Sequence, residues 1–220
     1  MIAREDVATR GYEQLFLEQG WPEPPATILD VITERARRDG ARHQFTFLDE
    51  GDGPYPEMSA SELAEKTLKI AIFLARHGVG PTDVVTLLLP PDSSFLLAML
   101  ATQRAGAVPA AIYPPFSPSR LAEQAERSLG VVADSGARAV LTNRLLLPYA
   151  RLLAARLPVL RQVLCLEEAL AASTAEASAT AVGAPPSGED IAFLQYSSGS
   201  TGDPKGVVIL HRNLMAQLWL

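Results

Sequence analysis

The chain of 220 residues is 48% hydrophobic and carries a formal net charge of −6, enough apolar content for a sizeable buried core. That charge excludes a nucleic-acid binder working through a general basic field, so any anion site must be local. The single cysteine, Cys165, excludes an intrachain disulfide, Met1 to Arg10 lacks the apolar core of a secretory signal, and no apolar run reaches the roughly 18 residues of a membrane span. A soluble, cytoplasmic protein is the expectation.

Residues 1–25 read as a polar preface ending in Trp21-Pro22-Glu23-Pro24-Pro25, where the prolines stop any helix. The α/β part is expected over 26–170. It opens with Thr27 and Asp30 as a weak capping box, then Ile28, Val31, Ile32 and Ala36 at helical spacing, with Gly40 as a stop. Gln44 to Leu48 reads as a strand, followed by a Gly51-Asp52-Gly53-Pro54 turn. Ser59 and Glu62 open a longer helix with an apolar stripe of Leu63, Thr67, Ile70, Ala71 and Leu74, closed by Gly78. Val84 to Leu89 is almost unbroken in its apolarity, as in a strand buried on both faces of a parallel sheet.

Asp92, Ser93 or Ser94 caps a helix over Phe95–Arg104, which Gly106 ends. Ala107 to Tyr113 continues as a small-residue strand, in which Pro109 argues for an edge position or an irregular course. Beyond the Pro114-Pro115-Phe116-Ser117-Pro118 turn come a helix through Ser135 stopped at Gly136, a strand over Ala139–Thr142, a helix from about Leu145 to Leu157, and a strand over Val159–Leu166. Repeated strand–helix alternation with short connections predicts a mostly parallel sheet flanked by helices. Residues 171–189 are rich in Ala, Ser and Pro and read as a linker. The last stretch, 190–220, reads as strand, loop, strand and the start of a helix in a second subdomain. It stops at Trp219 and Leu220 on an apolar face, so the chain reads as an N-terminal fragment.

The loop in that stretch is Tyr196-Ser197-Ser198-Gly199-Ser200-Thr201-Gly202-Asp203-Pro204-Lys205-Gly206. Ile191 to Leu194 leads into it and Val207 to Leu210 leads away, which predicts a loop pinned between two buried strands. Residues without bulk let backbone N–H groups approach phosphate oxygens, hydroxyls add donors, and a lysine adds a mobile charge. Of the 19 basic residues only Lys66, Lys69 and Lys205 are lysines, so a lysine inside this loop stands against the composition. A P-loop is excluded, because Lys205 follows Pro204 and precedes Gly206 rather than Ser or Thr. Gly199, Gly202 and Gly206 do not have the G-x-G-x-x-G spacing, and a G-x-S-x-G elbow fails because Ser198 stands two before Ser200. His43 and His77 lack partners at ligand spacing, so no metal site is expected, and His211 reads as a capping or packing residue. Cys165 in its apolar setting reads as a buried structural thiol.

Leu194, Ser197-Ser198, Gly199, Ser200, Thr201, Gly202, Pro204, Lys205 and Gly206 fit, position by position, the phosphate-binding loop of the adenylate-forming superfamily, and the chain is similar to the front part of the large N-terminal domain of such an enzyme. Gln103 to Pro109 resembles the upstream Ala-Gly-Ala element of that superfamily, and Ser59 to Leu63 stands where a Thr-Tyr-x-Glu-Leu helix start would be, with the aromatic missing. Within the superfamily, Leu194-Gln195-Tyr196, Tyr113-Pro114-Pro115 and Val131 to Ala137 look most like fatty acyl-AMP ligases. The resemblance implies ATP and Mg²⁺ as cofactors. It further implies activation of a carboxylate, such as a fatty acid, to an acyl-adenylate with release of pyrophosphate, and transfer to an acyl-carrier protein or to CoA. It implies that Ser197, Ser198, Gly199, Ser200, Thr201, Gly202, Lys205 and Gly206 hold the β- and γ-phosphates. The catalytic lysine and the residues for adenine, ribose and metal are expected beyond Leu220, so the 220 residues alone are expected to be inactive. Two alternatives stand beside this: a truncated, non-catalytic nucleotide-binding or interaction module, and an amino-acid adenylation domain of a peptide synthetase.

Overall fold

The computed structural model describes residues 12–18, 20, 23–48, 56–115, 119, 121–172, 182–197 and 204–219. The Gly51–Pro54 turn, Phe116-Ser117-Pro118, most of the expected linker and Ser198–Asp203 lie outside the described residues.

Two helices start as their sequences dictate. In α2 (Ile28–Asp39) the Thr27 hydroxyl accepts from the Asp30 N–H at 3.2 Å, while the Asp30 carboxylate accepts from the Thr27 N–H at 2.8 Å. In α3 (Ala60–Arg76) Ser59 and Glu62 exchange the same pair, at 3.2 and 2.9 Å. Each reciprocal pair satisfies backbone donors that a helix start leaves open, and such a cap contributes about 1 kcal/mol. The stripe Leu63, Thr67, Ile70, Ala71 and Leu74 is buried along α3. Gly40 follows α2 with φ −63°, so it makes no left-handed turn; a Cβ there would collide with Ser61 Oγ and the Ala36 carbonyl, which accounts for glycine at this position.

A small antiparallel pair, β1 (His43–Thr46) with β2 (Glu57–Ser59), precedes the main sheet. The main sheet has the strand order β6-β5-β3-β4-β7-β8, built from β3 (Val84–Leu88), β4 (Val108–Ile112), β5 (Ala139–Thr142), β6 (Gln162–Cys165), β7 (Ile191–Ser197) and β8 (Lys205–Leu210). All neighbours are parallel except β7 and β8, which pair antiparallel. Alternation along the strands sends Val85, Leu87 and Leu141 into one core with α2, α3 and α4 (Ser93–Arg104). Leu88 and Val140 enter a second core with α5 (Leu121–Ser135) and α6 (Leu147–Arg156). The sheet is therefore covered on both faces, and β3, with Val85, Thr86, Leu87 and Leu88 fully buried, runs through its centre. Among the described residues no helix is long and apolar enough to cross a membrane.

Several expectations are corrected. The preface, read only as polar, holds a helix, α1 (Tyr12–Glu18), which carries the buried Phe16 and ends before the prolines; Gly20 follows it with φ +77° and donates to the Leu17 carbonyl at 3.0 Å. Pro109 lies on an interior strand rather than an edge: β4 sits between β3 and β7. The ladder from β4 to β7 is a single register pair, Ala110 with Leu194, which agrees with the irregular course that was the other expectation. The strand expected over Val159–Leu166 is shorter, because Leu166 begins a short helix, α7 (Leu166–Ala171). Finally, β7 and β8 are not buried strands. Val207 and Val208 on the edge strand are half exposed, since β8 has a neighbour on one side only.

Candidate functional site

The strands β7 and β8 form a hairpin whose connecting segment is 198–204. The register brings Ser197 opposite Lys205 and Tyr196 opposite Gly206. Antiparallel pairing of this kind places the first and last members of the expected loop side by side at one end of the sheet, next to the carboxyl end of the parallel strand β4. Crevices at that end of an open α/β sheet are where such folds hold ligands. Ser197, Lys205 and Gly206 are exposed. Among the described residues no carboxylate pairs with the Lys205 ammonium, which leaves it available to an anion. Ser198, Gly199, Ser200, Thr201 and Gly202 lie outside the described residues.

Both arms of the hairpin are braced. At the base, the buried Gln103 of α4 donates from Nε2 to the Ala192 carbonyl of β7 at 2.9 Å. Asp190 accepts from the Ser187 N–H and hydroxyl at 2.7 and 2.9 Å, which holds its carboxyl below the usual range. The Asp190 carbonyl in turn accepts from the backbone N–H of His211 at 3.0 Å, fixing the start of α8 (His211–Trp219). The His211 ring is buried, as expected of a packing residue, and burial lowers its pKa against the pull of Asp190 and Asp30.

At the loop end, the Tyr196 hydroxyl donates to Asp134 Oδ2 of α5 at 2.7 Å. Burial, then the hydrogen bond and charge of Asp134, push the Tyr196 phenol well above its ordinary value, so it remains a donor throughout the working pH range. The sequence marked Tyr196 and Asp134 only as parts of two separate segments, and nothing local signals a contact 62 residues apart.

The segment Gln103–Pro109 serves helix-to-strand packing: Ala105 and Ala107 are buried, and Gly106 takes φ +74°, a left-handed turn open to glycine. Cys165 is buried and hydrogen-bonded to Glu167, and burial pushes its thiol up, the reverse of a reactive cysteine. Among the described residues no three His, Cys, Asp or Glu side chains gather as metal ligands. A cleft of about 740 Å³ lined by Glu23, Asp30, Glu34 and Arg104 contains none of the loop residues, and it is not the site this geometry builds.

Fold and site together define a mostly parallel α/β protein whose sheet ends in a hairpin with an exposed lysine at the start of its second strand. Residues 32–220 match the model of the AMP-binding enzyme family, and the chain belongs to that family. It is 30% identical over 193 residues to the medium-chain-fatty-acid–[acyl-carrier-protein] ligase JamA of Moorena producens, an alignment covering 86% of this chain and 32% of that protein. It is 32% identical over 223 aligned residues to the medium/long-chain-fatty-acid–CoA ligase FadD6 of Mycobacterium tuberculosis, covering 99% of this chain and 34% of that protein. The fold is similar to that of a fatty acyl-adenylate ligase from L. pneumophila solved with acyl adenylate and pyrophosphate. There the TM-score is 0.67 at 28% identity, over 88% of this chain and 32% of that one. The chain thus spans about a third of the length of each of these two curated relatives.

Proposed function

We propose that the protein contributes the phosphate grip of an ATP-dependent ligase that activates a carboxylic acid, most plainly a fatty acid, as an acyl-adenylate with release of pyrophosphate. The observation that carries this is the hairpin itself: Ser197 and Lys205, paired across β7 and β8 and open to solvent, flank a loop of small and hydroxylated residues in a chain of the AMP-binding enzyme family. Pyrophosphate leaving an α-phosphorus develops negative charge on its oxygens. Backbone N–H groups, hydroxyls and a lysine fixed toward those oxygens stabilise that charge without reorganising. Ser197 to Gly202, with Lys205 and Gly206, would hold the β- and γ-phosphates of ATP. Mg²⁺ would neutralise them further, through ligands that this chain does not gather among its described residues.

The acyl group would then pass to a thiol, that of an acyl-carrier protein or of CoA. The carrier-protein ligase of Moorena producens and the CoA ligase of Mycobacterium tuberculosis support the two acceptors about equally. Carboxylate-dependent exchange of pyrophosphate into ATP tests the reading. The full-length protein is expected to exchange with one part of a fatty-acid chain-length series, and the 220-residue chain to exchange with none. Exchange driven by an amino acid instead would transfer the protein to the peptide-synthetase reading. No exchange with any acid, together with no ATP binding, would leave a non-catalytic module.

A further inference from the structure

We propose that the outward face of α6 is a docking surface for an anionic lipid bilayer, an inference that goes beyond the phosphate-grip reading and stands without it. Along α6 the buried residues Tyr149, Ala150 and Leu153 enter the second core with Leu129 and Val132 of α5. The opposite side of the helix is open. Pro148, Arg151, Leu152 and Ala155 are exposed and fall within an arc of about 100° around the helix axis. Leu145 in the turn before the helix and Val159 in the turn after it continue that line, so apolar residues recur at 145, 148, 152, 155 and 159, a spacing of three and four. Leu145 is 83% exposed, Leu152 50% and Val159 40%. Single exposed leucines are ordinary on a protein surface, but a line of them opposite the buried face makes this helix apolar on two sides.

Charge decides what the face fits. Between Asp134 and Glu167 the chain has five arginines, Arg138, Arg144, Arg151, Arg156 and Arg161, and no acidic residue, in a protein of net charge −6. Arg151 lies on the open arc beside Leu152, Arg144 precedes Leu145, and Arg161 follows closely on Val159; all three are exposed. Arg156 is paired with Glu126 of α5 and Arg138 with Asp83, whereas Arg144, Arg151 and Arg161 form no side-chain ion pair among the described residues. Glu123 and Glu126 of α5 are spent on Arg127 and Arg156, and Glu167 of α7 accepts from the backbone N–H of Arg144.

The face therefore presents apolar side chains ringed by guanidinium groups. An anionic bilayer has the complementary order, a layer of negative headgroups over hydrocarbon. The leucines and the valine enter the boundary between headgroups and acyl chains, while the arginines extend to the phosphates. A protein partner would need a groove to receive a convex helix face; a lipid surface needs none. Each arginine near an anionic surface strengthens binding by about fivefold. The acidic remainder of the molecule is repelled by the same surface, which turns α6 toward it. Fatty acids partition into such a surface, so docking there would place the proposed ligase where its substrate concentrates.

The test is flotation of the full-length protein with vesicles of phosphatidylcholine alone and of phosphatidylcholine mixed equally with phosphatidylglycerol. The protein is expected to float with the anionic vesicles, and about tenfold less with the neutral ones. Raising the salt to about 0.5 M is expected to release it, since screening shortens the reach of each charge. Arg151→Gln is expected to lower the partition coefficient about fivefold and Arg144→Gln with Arg151→Gln about twentyfold, with Arg151→Lys restoring most of the first loss. Leu145→Ser with Leu152→Ser is expected to lower it about tenfold at unchanged charge. Melting temperature and pyrophosphate exchange measured without vesicles are expected to stay as in the unsubstituted protein. No flotation with the anionic vesicles, or flotation that the arginine and leucine variants leave within about twofold, would overturn the proposal. Two further results would overturn it by giving the face another occupant. A parent that does not float, with a lower melting temperature in the leucine variant, assigns the face to the rest of the full-length chain. A dimer by light scattering that Leu152→Ser dissociates assigns it to a second copy. ATP plays no part in flotation, so this proposal and the phosphate grip fail separately.

Discussion

Thr82 takes φ +67° in the turn that feeds the central strand, a left-handed conformation that a β-branched residue adopts only at a cost. The turn around it is well supported: the Asp83 N–H donates to the Gly80 carbonyl at 3.1 Å, the Asp83 carboxylate accepts from the Gly80 N–H at 3.1 Å, and the Thr82 N–H donates to the Gly106 carbonyl at 3.1 Å. Those bonds hold the backbone in place whatever side chain stands at 82. Thr82→Gly is therefore expected to stabilise the protein by about 0.5–1 kcal/mol, the strain of roughly 1–2 kcal/mol relieved less the greater backbone freedom of glycine when unfolded. Urea denaturation of the two proteins reads this directly, and a lower midpoint for the glycine variant would show that position 82 is not strained. Gly78, Gly106 and Gly136 meet the same need where α3, α4 and α5 end, with φ of +73°, +74° and +65°. All three stops were legible in the sequence because a glycine after an apolar stripe carries a local meaning. Thr82 was not, because nothing in Gly80-Pro81-Thr82-Asp83 says which residue takes the left-handed turn.

At the scale of elements, α8 buries its first residue, His211, together with Met215. The His211 side chain is buried, and its Nδ1 meets no partner among the described residues. Burial disfavours the imidazolium, while the carboxylates of Asp190 and Asp30 favour it, and burial is the larger effect. The folded-state pKa therefore lies below the ordinary value near 6.5, so the unfolded chain takes up a proton more readily as pH falls. The contribution of neutral His211 is fully present above about 6.5 and is lost as pH drops from there toward the depressed value, by about 1.4 kcal/mol for each pKa unit of depression. His211→Gln is expected to flatten the fall of the urea midpoint over that window. An unchanged slope would place the acid sensitivity elsewhere. Burial of this histidine was foreseen from its place between a strand and a helix, and so were both capping boxes, because Thr27 with Asp30 and Ser59 with Glu62 act within three residues. What escaped was set by distant partners. The helix α1 carries the buried Phe16, α7 is a single short run after β6, and Pro109 lies inside the sheet because β7 returns to pair beside it. The site divides the same way: the sequence marked Ser197 to Gly206 as a candidate loop from local residues, whereas the hydrogen bond from Tyr196 to Asp134 depends on the packing of α5.

Across the whole molecule the sheet is asymmetric. One edge ends in β6, a strand of four residues followed at once by α7, a short edge of the kind that resists pairing with another chain. The other edge ends in β8, with Val207 and Val208 at 50% and 53% exposure and the Ile191 of its partner strand at 37%. A net charge of −6 opposes self-association in general, yet β8 carries only Lys205, at its first position, to protect the edge itself. An apolar edge strand with free backbone donors and acceptors is a template for a second copy. The 220-residue chain is accordingly expected to associate at roughly 100 µM, within the range where exposed edges drive aggregation. Val208→Lys is expected to return it to a monomer by light scattering after size exclusion, with an unchanged circular dichroism spectrum, since Val208 is half exposed and belongs to neither core. A parent chain that stays monomeric at that concentration would mean the edge is protected in solution. A Val208→Lys chain that still associates would move the contact to another surface, and the exposed Leu145 and Leu152 would be the next residues to substitute.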